Sequence, residues 1–136
     1  MMKRFGLTFL IAAGVMLALD GIWLSTMSPL LYTPMMGSLL KFPPDYVAAG
    51  IFYVLYIFGL TWLVLLPALE QRQGWGAVAF RSGLLGLVAY GTYDLTAQSV
   101  IAGWQWKLTA IDMAWGTFLT LTTGLATVFL VRAMGK

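Results

Sequence analysis

Four long apolar segments divide the sequence, at residues 5–27, 47–69, 77–101 and 108–131. Each is long enough to cross the hydrocarbon core of a bilayer as a helix, which takes about 20 residues. The chain is 60% hydrophobic and 10% charged, which is far from the balance of a soluble domain. Because a spanning backbone must satisfy its own hydrogen bonds, the pattern predicts an all-α integral membrane protein in which residues 1–136 form one four-transmembrane-helix domain.

The first apolar segment also has features of a secretory signal, because Lys3 and Arg4 precede it. Its apolar run continues past Asp20 to Met27, and no clear small-residue cleavage site follows. We therefore interpret the segment as a retained transmembrane helix.

Lysine and arginine are unevenly divided between the two sides of this bundle. With both termini in the cytoplasm, six basic residues lie inside (Lys3, Arg4, Arg72, Arg81, Arg132 and Lys136) and two outside (Lys41 and Lys107). Since cytoplasmic loops carry the excess of positive charge, the chain is expected to be a multi-pass protein of the bacterial inner membrane with cytoplasmic N and C termini. Short connections predict an antiparallel bundle. The net charge of +3 is thus an orientation signal and does not indicate nucleic acid as a partner.

The longest connection, residues 28–46, lies outside in this topology. Thr33 followed by Pro34 has the pattern of an N-cap and a first helical residue. Apolar residues follow: Met35, Met36, Leu39 and Leu40. We predict a short outer helix in the membrane interface, and the alternative is a lid over a site. Trp104 and Trp106 in the other outer connection are expected at the headgroup level.

Small residues are expected where helices approach closely, because van der Waals packing of backbones joins helices in lipid. The glycines that fit this expectation are Gly14, Gly50, Gly83, Gly86, Gly91, Gly116 and Gly124.

Three aspartates, Asp20, Asp94 and Asp112, lie inside the apolar segments. A charge in the bilayer centre costs at least about 2.5–3.5 kcal/mol, so such residues face the bundle interior and have polar partners. At about 1.5 Å per residue, all three lie roughly 7–12 Å below the outer boundary. No lysine or arginine lies at that depth. Neighbouring carboxyl groups in this layer therefore need bound protons, or a cation or cationic ligand.

Aromatic side chains accompany these aspartates at helical spacing. The candidates for binding a ligand or an ion are Asp20, Asp94, Asp112, Tyr53, Tyr56, Tyr90, Tyr93, Trp23 and Trp115. The structural alternative is that the aspartates only tie helices together by hydrogen bonds. No catalytic residue is assigned, and the cofactor and metal content stay open. The absence of cysteine and histidine from the sequence excludes disulfides, histidine-ligated haem and the usual zinc sites.

Several segments resemble a known family: LALDGIWL at 17–24, IFYVLYIFGL at 51–60, GLVAYGTYDLT at 86–96 and DMAWGTFLT at 112–120. They are similar to the hallmark segments of the bacterial membrane-protein family designated domain of unknown function 2177, over nearly the whole chain. The resemblance implies a small four-span inner-membrane protein with no established activity and a membrane-lipid context.

Three functions are compatible with these features. We favour a non-catalytic ligand- or lipid-binding or accessory membrane subunit, because aromatic residues around a polar layer suit an apolar ligand with a polar head. The alternative is a small proton- or cation-coupled transporter that uses Asp20, Asp94 and Asp112 and works as a homo-oligomer. A lipid-modifying enzyme ranks third, since the sequence shows no nucleophile with a partnering base. The expected partners are membrane lipid and, beyond it, further copies of the chain or a larger membrane-protein complex.

Overall fold

The computed structural model describes residues 2–41 and 43–135, most of which are helical and none of which belongs to a strand. Six α-helices follow one another: α1 (Met2–Met27), α2 (Thr33–Met36), α3 (Tyr46–Leu60), α4 (Leu66–Glu70), α5 (Trp75–Val100) and α6 (Trp106–Ala133). A π-helical turn, Ser28–Tyr32, joins α1 to α2, and another, Thr61–Leu65, joins α3 to α4. A short 3₁₀ turn, Gly37–Leu39, ends the first helical segment.

Within the described residues, three helical segments are long and apolar enough to cross a membrane: Lys3–Leu39, Tyr46–Glu70 and Trp106–Ala133. Helix α5 has 26 residues and is as long as α1. It is absent from this set because Arg81, Asp94 and Gln98 lower its hydropathy. Three of the four predicted spans therefore have the composition of membrane helices, and the span at 77–101 stays a prediction.

Prolines explain why two helices contain a widened turn. Pro34 and Pro67 lack an N–H, and their rings would collide with the carbonyl group four residues earlier in a regular α-helix. A π-turn precedes each proline, closed by hydrogen bonds from the Thr33 N–H to the Ser28 oxygen and from the Leu66 N–H to the Thr61 oxygen. The helix therefore continues through 28–36, and our prediction that Thr33 caps a separate helix is wrong, since Thr33 lies inside the helix with helical backbone angles.

Helices α5 and α6 pack closely together at positions that are occupied by glycine. A Cβ added to Gly86 would overlap the Gly116 carbonyl oxygen, and one added to Gly124 would overlap the Ser82 hydroxyl. Gly83 and Gly91 are also closely covered by α6 side chains. By contrast, a Cβ at Gly14 or Gly50 would meet nothing within 4 Å, so the predicted close packing at those two positions is wrong.

Two apolar clusters hold the helices together. The larger joins α1, α3, α4, α5 and α6 around Met16, Leu60 and Leu119. The smaller lies at the other end, where Leu31 from the π-turn packs with Trp104 and Leu108. Residues 28–36 thus pack against this end of the bundle as the continuation of α1. Trp104 is buried there, whereas Trp106 is exposed, and the headgroup level of the two indoles stays a prediction.

Candidate ligand-binding site

Asp20 joins three helices through its carboxyl group. It is buried on α1 and accepts one hydrogen bond from the Tyr53 hydroxyl on α3. Its other oxygen accepts a bond from Trp115 Nε1 on α6, at 3.0 Å. Both carboxyl oxygens therefore have donors, which offsets much of the cost of burying the group.

Asp112 is connected to Asp20 through aromatic side chains. It accepts a hydrogen bond of 2.5 Å from the Tyr32 hydroxyl, which itself accepts one of 2.9 Å from Trp23 Nε1. The indole rings of Trp23 and Trp115 stack with centroids 4.3 Å apart and planes 5° from parallel. Residues from α1, the π-turn and α6 thus form one continuous polar and aromatic network.

Asp94 lacks such donors. Its side chain is fully buried on α5, and neither carboxyl oxygen has a hydrogen-bond donor among the described residues. Its polar neighbour is the carboxyl group of Asp112. Two acceptors that face each other in this way require either a shared proton or a cation between them.

The polar groups one turn from Asp94 bond to each other instead of to its carboxyl group. The Thr109 hydroxyl donates to Gln98 Oε1 at 2.8 Å and accepts from Trp104 Nε1 at 2.9 Å. Gln98 Nε2 donates to the Trp104 carbonyl oxygen at 2.9 Å. Because these donors already bond to other acceptors, none of them donates to the Asp94 carboxyl group.

A cavity of about 420 Å³ lies beside this network. It is lined by all four long helices and the π-turn, through Asp20, Leu24, Tyr32, Phe52, Tyr53, Ala89, Tyr90, Tyr93, Asp112 and Trp115. Leu24, Phe52 and Tyr93 are 42%, 44% and 57% exposed, so the cavity opens to the surface of the bundle between apolar and aromatic side chains. It combines two carboxyl groups with aromatic walls and an apolar mouth.

The model of a family of predicted membrane proteins of unknown function, DUF2177, matches residues 5–129. The chain belongs to this family. The matched range contains every residue that lines the cavity. No curated protein and no solved structure is significantly similar to the chain.

The structure brings most of the predicted site residues of this family member to one place. Six line the cavity: Asp20, Asp112, Tyr53, Tyr90, Tyr93 and Trp115. Two others lie outside the lining but contact its residues, Asp94 beside Asp112 and Trp23 beside Tyr32. Tyr56 also lies outside the lining, where its ring packs against those of Phe52 and Tyr90 and its hydroxyl shares a hydrogen bond of 2.7 Å with Thr120. Among the described residues, no group of three or more acidic, histidine or cysteine side chains is placed to hold a metal ion.

Sequence reasoning missed four lining residues, of which Tyr32 matters most. It lies in the connection that we assigned to the membrane interface, without helical periodicity that would aim it at the aspartates. Leu24, Phe52 and Ala89 were missed because one apolar residue in an apolar helix carries no signal. The position of Tyr32 shortly before Pro34 indicates a lining residue only once the π-turn is known.

Replacing Tyr32 with phenylalanine is expected to lower the free energy of unfolding by about 1–2 kcal/mol, because Asp112 and Trp23 both lose their partner. Equilibrium unfolding in mixed micelles measures this change. Tyr46→Phe is the matched control, since Tyr46 is 72% exposed at the start of α3, and it should leave stability unchanged. Equal stability of the two variants would contradict a bridging role for the Tyr32 hydroxyl.

Proposed function

We propose that the protein is a four-span antiparallel bundle of the bacterial inner membrane, with both termini in the cytoplasm, that binds an amphiphile with a cationic head without transforming it. The observation that carries this proposal is the cavity lined by Asp20, Asp112 and aromatic rings. The excess of basic residues in the loops on one side supports the orientation.

The lining of the cavity favours a cation over an anion. Asp20 and Asp112 contribute carboxyl groups, and no lysine or arginine of the described chain belongs to the lining. Tyrosine and tryptophan faces attract organic cations, and ammonium groups are the usual ligands of such aromatic walls. An ammonium head can therefore be held by charge and by the aromatic faces together.

The mouth of the cavity suits the apolar part of the same ligand. A volume of about 420 Å³ accommodates a head group and the first methylene groups of a chain, but not a whole phospholipid. The remaining chain would leave past Leu24, Phe52 and Tyr93, where the surface of the bundle meets lipid.

The test uses native mass spectrometry and tryptophan fluorescence. Dodecyltrimethylammonium is titrated into the purified protein in non-ionic micelles, and the change in tryptophan emission, to which Trp23 and Trp115 contribute, gives the dissociation constant. Asp112→Asn is expected to weaken binding about 10- to 100-fold, which corresponds to losing an ionic interaction of about 1.5–3 kcal/mol. Native mass spectra of the protein from its own membrane should show a lipid with an amine head.

Asp45→Asn is the matched control for this charge change. Asp45 lies outside the cavity, where its carboxyl group caps α3 by accepting from the Ala48 N–H at 3.1 Å, and asparagine caps helices equally well. Its binding should equal that of the unchanged protein. The proposal would be overturned if Asp45→Asn and Asp112→Asn weakened amphiphile binding equally. It would also be overturned if the protein extracted from its own membrane carried no lipid.

A second candidate function, proton- or cation-coupled transport, is favoured by one specific observation. The donor-free Asp94 facing Asp112 is an arrangement whose protonation responds to a bound cation. Further buried hydroxyl groups without partners among the described residues lie about 12 residues, or ~18 Å, along the helices from the aspartates, among them Thr8 on α1 and Ser82 on α5. Polar groups at two depths are expected of a path through the bundle.

Transport is tested in proteoliposomes that carry a pH-sensitive dye. If the aspartate pair couples proton movement, Asp94→Asn should abolish the flux without unfolding the protein. Unchanged flux in this variant would remove the coupling role, and absence of flux with the unchanged protein would remove the candidate.

A further inference from the structure

A second cavity of about 420 Å³ lies at the far end of the bundle from the aspartates, and it is basic. Arg4, Arg72 and Arg132 line it together with Leu69 and Gly135. Arg4 is 16 residues before Asp20 on α1, which corresponds to about 24 Å along the helix. The two cavities are therefore separate, and a ligand of the basic cavity is independent of any ligand that the aspartates bind.

The three arginines come from distant parts of the chain. Arg4 is in the first turns of α1, Arg72 in the connection between α4 and α5, and Arg132 near the end of α6. An excess of positive charge on one side of a membrane is an orientation signal and requires only that basic residues be present. It does not require guanidinium groups from three segments to line one cavity, as they do here.

Two of these arginines are held in place by the fold. Arg132 donates to the Gln73 carbonyl oxygen at 2.8 Å, and its guanidinium carbon lies 5.0 Å from the centre of the Trp75 ring. Arg72 has φ of 50° because it directly follows the C-cap of α4, where the Gln73 N–H closes the helix on the Ala68 carbonyl oxygen at 2.9 Å. The ending of α4 therefore fixes the backbone from which the Arg72 side chain starts.

Within the described part of the chain, no acidic side chain neutralises the lining of this cavity. The nearby Glu70 lines a different cavity, with Trp62, Leu66 and Pro67. Guanidinium groups that lie close together repel one another, and a bound anion relieves that repulsion. Arginine forms paired hydrogen bonds with phosphate oxygens, which makes phosphate the anion that best fits a group of arginines.

We propose that the cavity between Arg4, Arg72 and Arg132 binds a phosphate group, carried by an anionic phospholipid or present as free phosphate. Leu69, which is buried next to the arginines, provides the apolar contact that a phospholipid uses and a free ion does not. A lipid bound there would fasten the start of α1 to the end of α6 at the membrane surface.

The experiment measures lipid binding to the purified full-length protein by native mass spectrometry. Dioleoylphosphatidylglycerol and dioleoylphosphatidylcholine are titrated separately, and the first is expected to bind more tightly. Arg4→Gln and Arg72→Gln are each expected to weaken phosphatidylglycerol binding about fivefold, the effect of one basic group near an anionic lipid. Arg132 is left unchanged, because it also holds the Gln73 backbone.

Lys3→Gln is the matched control, since it removes one positive charge next to Arg4 from a residue that does not line the cavity. Binding by this variant should equal that of the unchanged protein. Equal weakening in all three variants, or no preference for phosphatidylglycerol together with no binding of inorganic phosphate, would overturn the proposal. Millimolar inorganic phosphate distinguishes the sources: it displaces the lipid if free phosphate is the ligand, and leaves it bound if the phospholipid is.

Discussion

Gly86→Ala is expected to lower the free energy of unfolding by about 2–3 kcal/mol, near the upper end of the range for overpacked interiors. The added Cβ would overlap the Gly116 carbonyl oxygen and lie 2.9 Å from Thr120 Cβ. Because the first neighbour is backbone, rotation of a side chain cannot relieve the overlap, and α5 must move away from α6. Unfolding by denaturing detergent in mixed micelles measures the loss.

Gly59→Ala is the control, and its expected effect has the opposite sign. Gly59 lies inside α3, where an added Cβ would meet nothing within 4 Å. There the substitution only removes the flexibility of glycine, so stability should rise by about 0.5–1 kcal/mol. A similar loss in both variants would mean that α5 and α6 are not in close contact at Gly86.

The contrast between these two glycines shows what the sequence alone could not resolve. The lengths of the apolar segments predict long helices, because 20 or so apolar residues leave the backbone no other way to satisfy its hydrogen bonds in lipid. Which helices touch through glycine depends on how the helices pair, and that is decided by the fit of whole surfaces. Gly14 and Gly86 therefore look alike in the sequence and differ completely in the structure.

The candidate site was predictable to a similar extent. The helical rise is fixed, so the depth of Asp20, Asp94 and Asp112 follows from counting residues, and the structure buries all three. Counting cannot tell which aspartate has donors. That depends on Tyr32, which reaches Asp112 because the π-turn before Pro34 continues the helix instead of ending it. The small adjustment that proline imposes on a backbone is not encoded in apolar periodicity.

Asp94→Asn and Asp20→Asn are expected to change stability in opposite directions, although the two substitutions are chemically identical and nearly conserve volume. At Asp94 the new amide can donate to the Asp112 carboxyl group and ends the contact of two acceptors. Because the substitution removes a buried carboxyl group that has no hydrogen-bond donor, it should raise the free energy of unfolding by about 1–3 kcal/mol.

At Asp20 the same change reverses one of two good hydrogen bonds, because the amide oxygen must stay with the Trp115 N–H and the amide nitrogen then donates to the Tyr53 hydroxyl, which loses its acceptor. Stability should fall by about 1 kcal/mol, and thermal unfolding of the two variants in the same detergent measures both changes.

If Asp94→Asn also lowers stability, Asp94 fastens helices together, and the result favours the structural interpretation of the three aspartates. If it raises stability, a residue that weakens the fold is kept in the interior of the bundle, as binding sites often require. The sign of one substitution thus separates the two interpretations of the aspartates that the sequence left open.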